Sequence, residues 1–270
     1  MIELTRNGAI AVLRICRPQK KNAFTRAMWH ALHGACTQLA AEHHAASADA
    51  SAGTDTSAAR VLLVQGDGGV FCAGADIEEM ATLVQDPAAL AANNQLVSQA
   101  QTALAELPLP TIAAIDGACY GGGFGLAVAC DFRIATPGSH FAITPARLGL
   151  LYSIEDTRRV LALLGPARTR RLLLRSEKLD AATALAWGAV DALATPEALA
   201  GVALHWAASL AAQSRTSMAG IKATLALLAA PDKVTAAAEQ AVRSTYSAAF
   251  SGPDFSEGAA AFLQRRQPRF

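Results

Sequence analysis

The sequence lacks the features that mark several large classes of proteins. Its 270 residues carry 23 Lys and Arg against 22 Asp and Glu, a net charge of +1, with no basic block. Binding along nucleic-acid phosphates needs clustered positive charge, so we expect no nucleic-acid partner. No apolar run reaches the ~18–20 residues of a membrane span, and residues 1–13 carry early charges instead of a signal peptide. We therefore expect no membrane association and a cytoplasmic location.

Cysteine is scarce, and no two cysteines form a Cys-x-x-Cys pair. The five cysteines are scattered along the chain: Cys16, Cys36, Cys72, Cys119 and Cys130. This pattern argues against a zinc site and a disulfide framework, and we predict no metal. His43 and His44 are adjacent, but no further ligand stands at a useful spacing. Both belong to the Ala/Ser-rich stretch 42–59, which its composition predicts to be a mobile surface insertion.

Apolar residues are abundant, at 52% of the chain, so a large core can be buried. Residues 61–65 and 111–115 are continuous apolar runs, typical of strands buried on both faces of a sheet. Further strands are predicted at 9–15, 131–135 and 139–143, and helices at 25–41, 86–107, 124–130, 156–164, 167–174, 181–187, 202–229, 235–250 and after 254–257. The pattern predicts an α/β core over residues 1–200, including the insertion, and a helical region over 201–270.

Two glycine turns are the most informative part of the chain. Residues 72–76 (Cys-Ala-Gly-Ala-Asp) and 121–125 (Gly-Gly-Gly-Phe-Gly) each follow one of the buried strands and precede a predicted helix. Free backbone N–H groups at such turns stabilise negative charge. Two facing turns make a two-donor oxyanion hole for a thioester carbonyl. Taken alone, either turn is equally well interpreted as a tight strand-to-helix connection that binds no ligand. Neither turn matches the sequence of a nucleotide-binding loop.

The segments that carry these turns, 70–80 and 114–123, closely resemble the enoyl-CoA hydratase/isomerase (crotonase) superfamily. The same resemblance extends to Arg17-Pro18, 22–24, 130–135, 257–258 and 261–263. It covers nearly the whole chain outside the insertion. It implies a spiral of ββα units, a C-terminal helical region used for trimerisation, and assembly as a homotrimer or hexamer. It also implies an acyl-CoA substrate, with CoA entering as part of the substrate and no separate cofactor.

The resemblance assigns roles by position. The backbone N–H groups of Ala75 and Gly122 become the oxyanion hole that stabilises an enolate or tetrahedral oxyanion. Residues 73–77, including Ala73, Asp76 and Ile77, line the adenine and pantetheine path, although bracing the turn is the more ordinary role for Asp76. Five basic residues are candidates to bind the CoA phosphates, and an ordinary solvated surface charge is an equally good interpretation of each. They are Lys20, Lys21, Arg265, Arg266 and Arg269.

Two departures from the family concern its catalytic glutamates. Gly125 and Pro145 stand at the two positions where hydratases of this family carry these glutamates. Hydration needs a base to activate water and an acid to protonate the α-carbon, and neither glycine nor proline supplies one. The usual two-glutamate route is therefore in doubt.

Three nearby residues are candidate replacements: Tyr152, Glu155 and Asp156. The stretch from Thr144-Pro145 to Tyr152 partly resembles the methylmalonyl-CoA decarboxylase branch. Glu155 and Asp156 stand where hydratases have glycines, but a helix cap at Ser153 explains them equally well. One alternative is thus an acyl-CoA decarboxylase or thioester hydrolase that uses these side chains. The other is a catalytically silent acyl-CoA-binding homologue.

Overall fold

The computed structural model describes residues 1–48, 58–229 and 234–270. The strands are β1 (Ile2–Asn7), β2 (Ile10–Ile15), β3 (Val61–Gly66), β4 (Thr111–Ile115), β5 (Ala118–Tyr120), β6 (Phe132–Ala135), β7 (His140–Ala142), β8 (Leu179–Asp180) and β9 (Ala192–Leu193). The helices are α1 (Arg26–Ala48), α2 (Ile77–Leu83), α3 (Pro87–Ala105), α4 (Gly122–Ala129), α5 (Ile154–Arg175), α6 (Ala181–Trp187), α7 (Pro196–Ala211), α8 (Arg215–Leu228), α9 (Ala236–Ala249) and α10 (Pro253–Leu263).

Six strands form the main sheet, in the order β1-β2-β3-β4-β6-β9. β1 pairs antiparallel with β2, and the remaining neighbours are parallel. Every residue of β4 and the first four residues of β3 are buried. These strands are continuously apolar because helices cover both faces of the sheet. A second sheet has the order β5-β7-β8, and β5 leads directly into the second glycine turn.

Each face of the main sheet carries its own apolar core. Leu62 and Val64 of β3 pack with buried residues of α1, α3 and α4. Val61 and Leu63, which alternate with them, pack with Leu199 and other residues of α7 on the opposite face. Successive side chains of a strand point to opposite faces of a sheet. The position of each β3 residue therefore decides whether it packs against α1, α3 and α4 or against α7. α4, which begins at the second glycine turn, packs against α3, α5 and β5 of the second sheet.

Most of the predicted elements are confirmed. The structure has the predicted α/β core followed by helices, and side chains of Thr25, Ser153 and Asp180 cap helices as predicted. The predicted boundary after residue 200 falls inside α7, which packs on the sheet, and the division into two parts stays a prediction. Within the described ranges, no helix combines the length and apolar character needed to cross a membrane.

Several sequence predictions are corrected. The mobile insertion is wrong for residues 42–48, which continue α1 and bury the His43 side chain; residues 49–57 lie outside the described residues. Strand β1 has no predicted counterpart. The two helices predicted over 156–174 form the single α5, with a break at Gly165, and the helix predicted over 202–229 is divided between α7 and α8. The last helix begins at Pro253, before the predicted cap, because proline suits the first helical position.

Candidate active site at two facing turns

Pairing between short extended segments brings the two glycine turns together. Cys72 and Cys119 form a parallel bridge. The Cys72 N–H donates to the Ala118 carbonyl at 3.0 Å, and the Tyr120 N–H donates to the Cys72 carbonyl at 2.9 Å. Residues 72–76 and 121–125, fifty positions apart in sequence, therefore run side by side.

Two glycines make this close approach possible. A Cβ atom at Gly123 would lie 2.3 Å from the Cys72 carbonyl oxygen, so no larger residue fits there without moving backbone. Gly74 has a φ of +105°, and a Cβ atom there would lie 3.0 Å from the Tyr120 carbonyl oxygen. Glycine adopts this conformation without the clash that a Cβ causes. The distance between the turns is thus set by backbone packing.

Two backbone N–H groups are left without acceptors where the turns meet. The Ala75 N–H and the Gly122 N–H have no hydrogen-bond acceptor among the described residues, whereas the N–H groups of Ala73, Asp76 and Gly121 all have one. Gly122 is the first residue of α4, where a helix cannot satisfy its own N–H. A Cβ atom at Gly122 would lie 3.9 Å from the Ala75 nitrogen, so the two donors are neighbours. Ala75 is exposed and Gly122 half-buried, which leaves both donors open to a ligand.

The cysteines beside the turns are structural. Cys72 and Cys119 are buried, and burial raises the pKa of the Cys72 thiol to about 12. The Cys72 Sγ accepts a hydrogen bond from the Gly74 N–H at 3.4 Å. Since the thiolate is the nucleophilic form, these thiols are poor nucleophiles.

The residues predicted for the CoA path gather around the first turn. The Ala73 N–H donates to the Lys21 carbonyl at 3.0 Å, and the Ile77 side chain is exposed at the start of α2. Asp76 is buried, caps α2 through the Glu79 N–H, and pairs with Arg17 Nη1 at 2.6 Å. These hydrogen bonds lower the pKa of Asp76, so its carboxylate braces the turn.

Tyr152 reaches the second turn from the loop before α5. Its hydroxyl donates to the Gly121 carbonyl at 3.2 Å, one residue from the free Gly122 N–H. Burial raises the pKa of Tyr152, and the neighbouring Asp156 raises it further. The phenol is therefore neutral at physiological pH.

Asp156 occupies the space beside Gly125. A Cβ atom at Gly125 would lie 2.7 Å from Asp156 Oδ2 and 2.6 Å from Gln101 Nε2. Asp156 and Gln101 are both buried, and neither polar atom of the Gln101 amide makes a hydrogen bond of standard geometry in the described part. A carboxylate oxygen therefore lies where a side chain at residue 125 would begin.

A guanidinium holds the other oxygen of this carboxylate. Arg159 Nη1 donates to Asp156 Oδ1 at 3.0 Å, and Arg159 Nη2 donates to Thr102 Oγ1 at 3.2 Å. Burial raises the pKa of Asp156, while the Arg159 charge opposes that rise. An aspartate balanced in this way is suited to proton transfer.

Glu155 points to a different part of the molecule. It lines a cavity of about 590 Å³ with Ala129 of α4, Arg158 and Leu225. That cavity lies at the far end of α4, which by helical rise is about 10 Å from Gly122. Pro145 begins a short 3₁₀ turn, Pro145–Leu148.

Sequence reasoning missed Gln101 and Arg159. Gln101 has no signal in the sequence, because only the packing of α3 against α4 brings it to Gly125. One feature of the sequence could have indicated Arg159. It lies three residues after Asp156, a spacing at which side chains on a helix contact each other. Within residues 1–48, 58–229 and 234–270, no group of three or more His, Cys, Asp or Glu side chains could hold a metal ion.

Comparison with known proteins places this geometry in a family. The family model described as enoyl-CoA hydratase/isomerase matches residues 5–270. A Bos taurus protein named "Enoyl-CoA hydratase domain-containing protein 2, mitochondrial" is 32% identical over 98% of this chain and 85% of its own length. "Probable enoyl-CoA hydratase echA6" of Mycobacterium leprae is 29% identical over 100% of this chain and 99% of its own.

A solved structure supports the same relationship. An enoyl-CoA hydratase/carnithine racemase from Magnetospirillum magneticum superposes with a TM-score of 0.88 at 28% identity, covering 100% of this chain and 94% of that one. The predicted crotonase-like α/β fold with C-terminal helices is therefore confirmed.

Proposed function

Because the chain belongs to the enoyl-CoA hydratase/isomerase family, we propose that it acts on an acyl-CoA thioester through an enolate held by the Ala75 and Gly122 N–H groups. The observation that carries this proposal is the pair of neighbouring backbone donors without acceptors. Donors fixed in advance stabilise an oxyanion without reorganising during the reaction. The proposed CoA-binding residues lie beside the Ala75 donor: Ala73, Ile77 and Lys21. Asp76 stabilises the turn that carries this donor.

Asp156 is the proposed acid/base group. Its Oδ2 takes a proton from the carbon next to the thioester carbonyl; the electrons of that C–H bond pass to the carbonyl oxygen, which the two N–H groups stabilise. Returning the proton two carbons further along an enoyl chain moves the double bond. One carboxylate suffices for this isomerisation, whereas hydration needs a base for water and an acid for carbon. Asp156 beside Gly125 thus favours isomerisation over hydration.

Decarboxylation or thioester hydrolysis is the second candidate. It is favoured by the Tyr152 hydroxyl, which lies one residue from the Gly122 donor. In that reaction Tyr152 orients the substrate carboxylate or the attacking water. Asp156 and Glu155 are the carboxylates proposed for this version, and Glu155 is the less favoured because it lines the cavity at the far end of α4. A silent acyl-CoA-binding role is the third candidate, since the missing glutamates at Gly125 and Pro145 allow binding without turnover.

Assembly as a homotrimer or hexamer belongs to the same proposal. The C-terminal helices expose large apolar side chains, among them Leu225 of α8, Phe250 at the end of α9 and Phe262 of α10. A neighbouring copy would bury this surface and gain about 25 cal/mol for each Å² removed from water.

The sharpest test of the oxyanion hole removes a single N–H. Gly122 occupies the first helical position, where proline is accepted, so Gly122→Pro deletes the donor while α4 still forms. Gly122→Ala keeps the N–H, and its Cβ meets nothing closer than 3.7 Å, which makes it the matched control. We expect kcat to fall about 10²–10³-fold in the proline variant and to change little in the alanine variant. Equal kcat values for the two variants would show that Gly122 is no donor.

The reaction type is tested with four thioesters: a 3-enoyl-CoA, crotonyl-CoA, methylmalonyl-CoA and a saturated acyl-CoA. Isomerisation of the first, lost in Asp156→Asn, is the expected result. Turnover of methylmalonyl-CoA or the saturated ester, lost in Tyr152→Phe, supports decarboxylation or hydrolysis. Calorimetric binding without any turnover supports the silent role, and absence of binding contradicts all three candidates.

A further inference from the structure

We infer that Arg159 is a positioning residue for the acid/base carboxylate, holding one oxygen of Asp156 so that the other faces the second turn. This inference rests on the proposed proton-transfer role of Asp156. It assigns a function to a side chain that no motif in the sequence identifies.

The geometry divides the two carboxylate oxygens between different partners. Oδ1 accepts from Arg159 Nη1 at 3.0 Å, whereas Oδ2 lies on the Gly125 side, 2.7 Å from where a Cβ atom of that residue would stand. The second guanidinium nitrogen donates to Thr102 of α3 at 3.2 Å. Thr102 thus anchors Nη2, and because the guanidinium is planar this anchor directs Nη1 toward Asp156 Oδ1. The carboxylate plane follows from that direction.

Arg159 also supplies the charge that balances burial. The side chain of Asp156 is only 5% exposed and that of Arg159 18% exposed, so water screens this ion pair weakly. Facing Asp156 from the other packed elements are the Gln101 amide, the Ser153 hydroxyl and the neutral Tyr152 phenol. Among the described groups acting on the carboxylate, Arg159 carries the positive charge. Its removal takes away the largest influence that opposes burial, so the pKa of Asp156 rises and the carboxylate becomes harder to ionise.

Three variants separate charge from position. Arg159→Gln removes the positive charge. Arg159→Lys keeps the charge but cannot bind Asp156 and Thr102 through two nitrogens of one planar group. Thr102→Val keeps both charges and removes the hydrogen bond between Thr102 and Arg159. The readout is the pH dependence of kcat/KM and of kcat for isomerisation of the 3-enoyl-CoA, the substrate expected above. Thermal unfolding of each variant confirms that it is folded.

We expect kcat/KM of the unmodified protein to rise with pH as Asp156 ionises. In Arg159→Gln this rise shifts to higher pH by about one unit or more, and kcat falls about tenfold with KM little changed. In Arg159→Lys and Thr102→Val the rise stays in place, while kcat falls severalfold because the carboxylate is less well oriented.

The inference and the proposed function fail in different ways. If Asp156→Asn is inactive but Arg159→Gln keeps both its pH profile and its kcat, Asp156 retains its role and the inference about Arg159 is wrong. If Asp156→Asn remains active, the proposed role of Asp156 is wrong. Should Arg159→Gln fail to fold, Thr102→Val decides alone: an unchanged kcat in that variant overturns the positioning role.

Discussion

The two glycine turns are closely packed, whereas the C-terminal helices leave large apolar side chains exposed. At the turns, Gly123 meets the Cys72 backbone so closely that no Cβ atom fits, and Phe124 behind it is fully buried. In α8 and α9, by contrast, no described residue is buried, and Phe262 of α10 is 83% exposed. The donor geometry is therefore set within one chain, whereas the C-terminal helices have an apolar surface that only further packing can bury. Substitutions in the two regions should change different observables.

The largest expected effect comes from filling the contact between the turns. Gly123→Ala forces a methyl group to within 2.3 Å of the Cys72 carbonyl oxygen, so backbone must move. We expect the free energy of unfolding to fall by about 3 kcal/mol, the upper end of the usual cost of overpacking, measured by denaturant titration. Gly138→Ala is the matched control, because a Cβ atom there meets nothing within 4 Å. Equal stability of the two variants would mean that the turns are not closely packed.

The next effect belongs to the C-terminal helices. Leu225→Asp places a charge on a side chain that is 62% exposed in the isolated chain. We expect the fold of the single chain to survive and the dissociation constant of the assembly to rise about 100-fold, since burying an unpaired charge is costly. Light scattering after size exclusion across a concentration series measures this. Leu185→Asp, a change on α6, is the comparison; if it dissociates the assembly equally, the interface does not centre on the C-terminal helices.

The smallest expected effect lies where α1 meets the start of α8. His43 of α1 is buried near Arg60 and Arg215, and burial, reinforced by those charges, lowers its pKa to about 4. Because the unfolded state binds the proton more readily, His43 contributes stability above about pH 6.5 that is lost as the pH falls toward 4. Between pH 7 and pH 5.5 the loss should be about 1 kcal/mol.

Denaturant titrations across this pH range test the role of His43. In His43→Gln the stability should depend less steeply on pH. An unchanged slope would assign the pH dependence to other groups.

The sequence predicted the features that depend on local pattern. The glycine turns, the strands before them and the caps at Thr25, Ser153 and Asp180 follow from residue type and spacing, so they could be located without coordinates. Side chains brought together by tertiary packing could not. Gln101 meets Gly125 because α3 packs on α4, and His43 is buried because α1 continues past residue 41. Glu155 and Asp156 are adjacent in sequence, yet the helix directs them to different places.

The occupied space beside Gly125 also means that substitutions at residues 125 and 156 will show epistasis. A Cβ atom at Gly125 would lie 2.7 Å from Asp156 Oδ2 and 2.6 Å from Gln101 Nε2, so any larger residue there must displace the ends of these two side chains. The effects of substitutions at positions in direct contact do not add. The effect of a change at Gly125 therefore depends on which residue stands at 156, and it is interpreted only beside the matching change at Asp156.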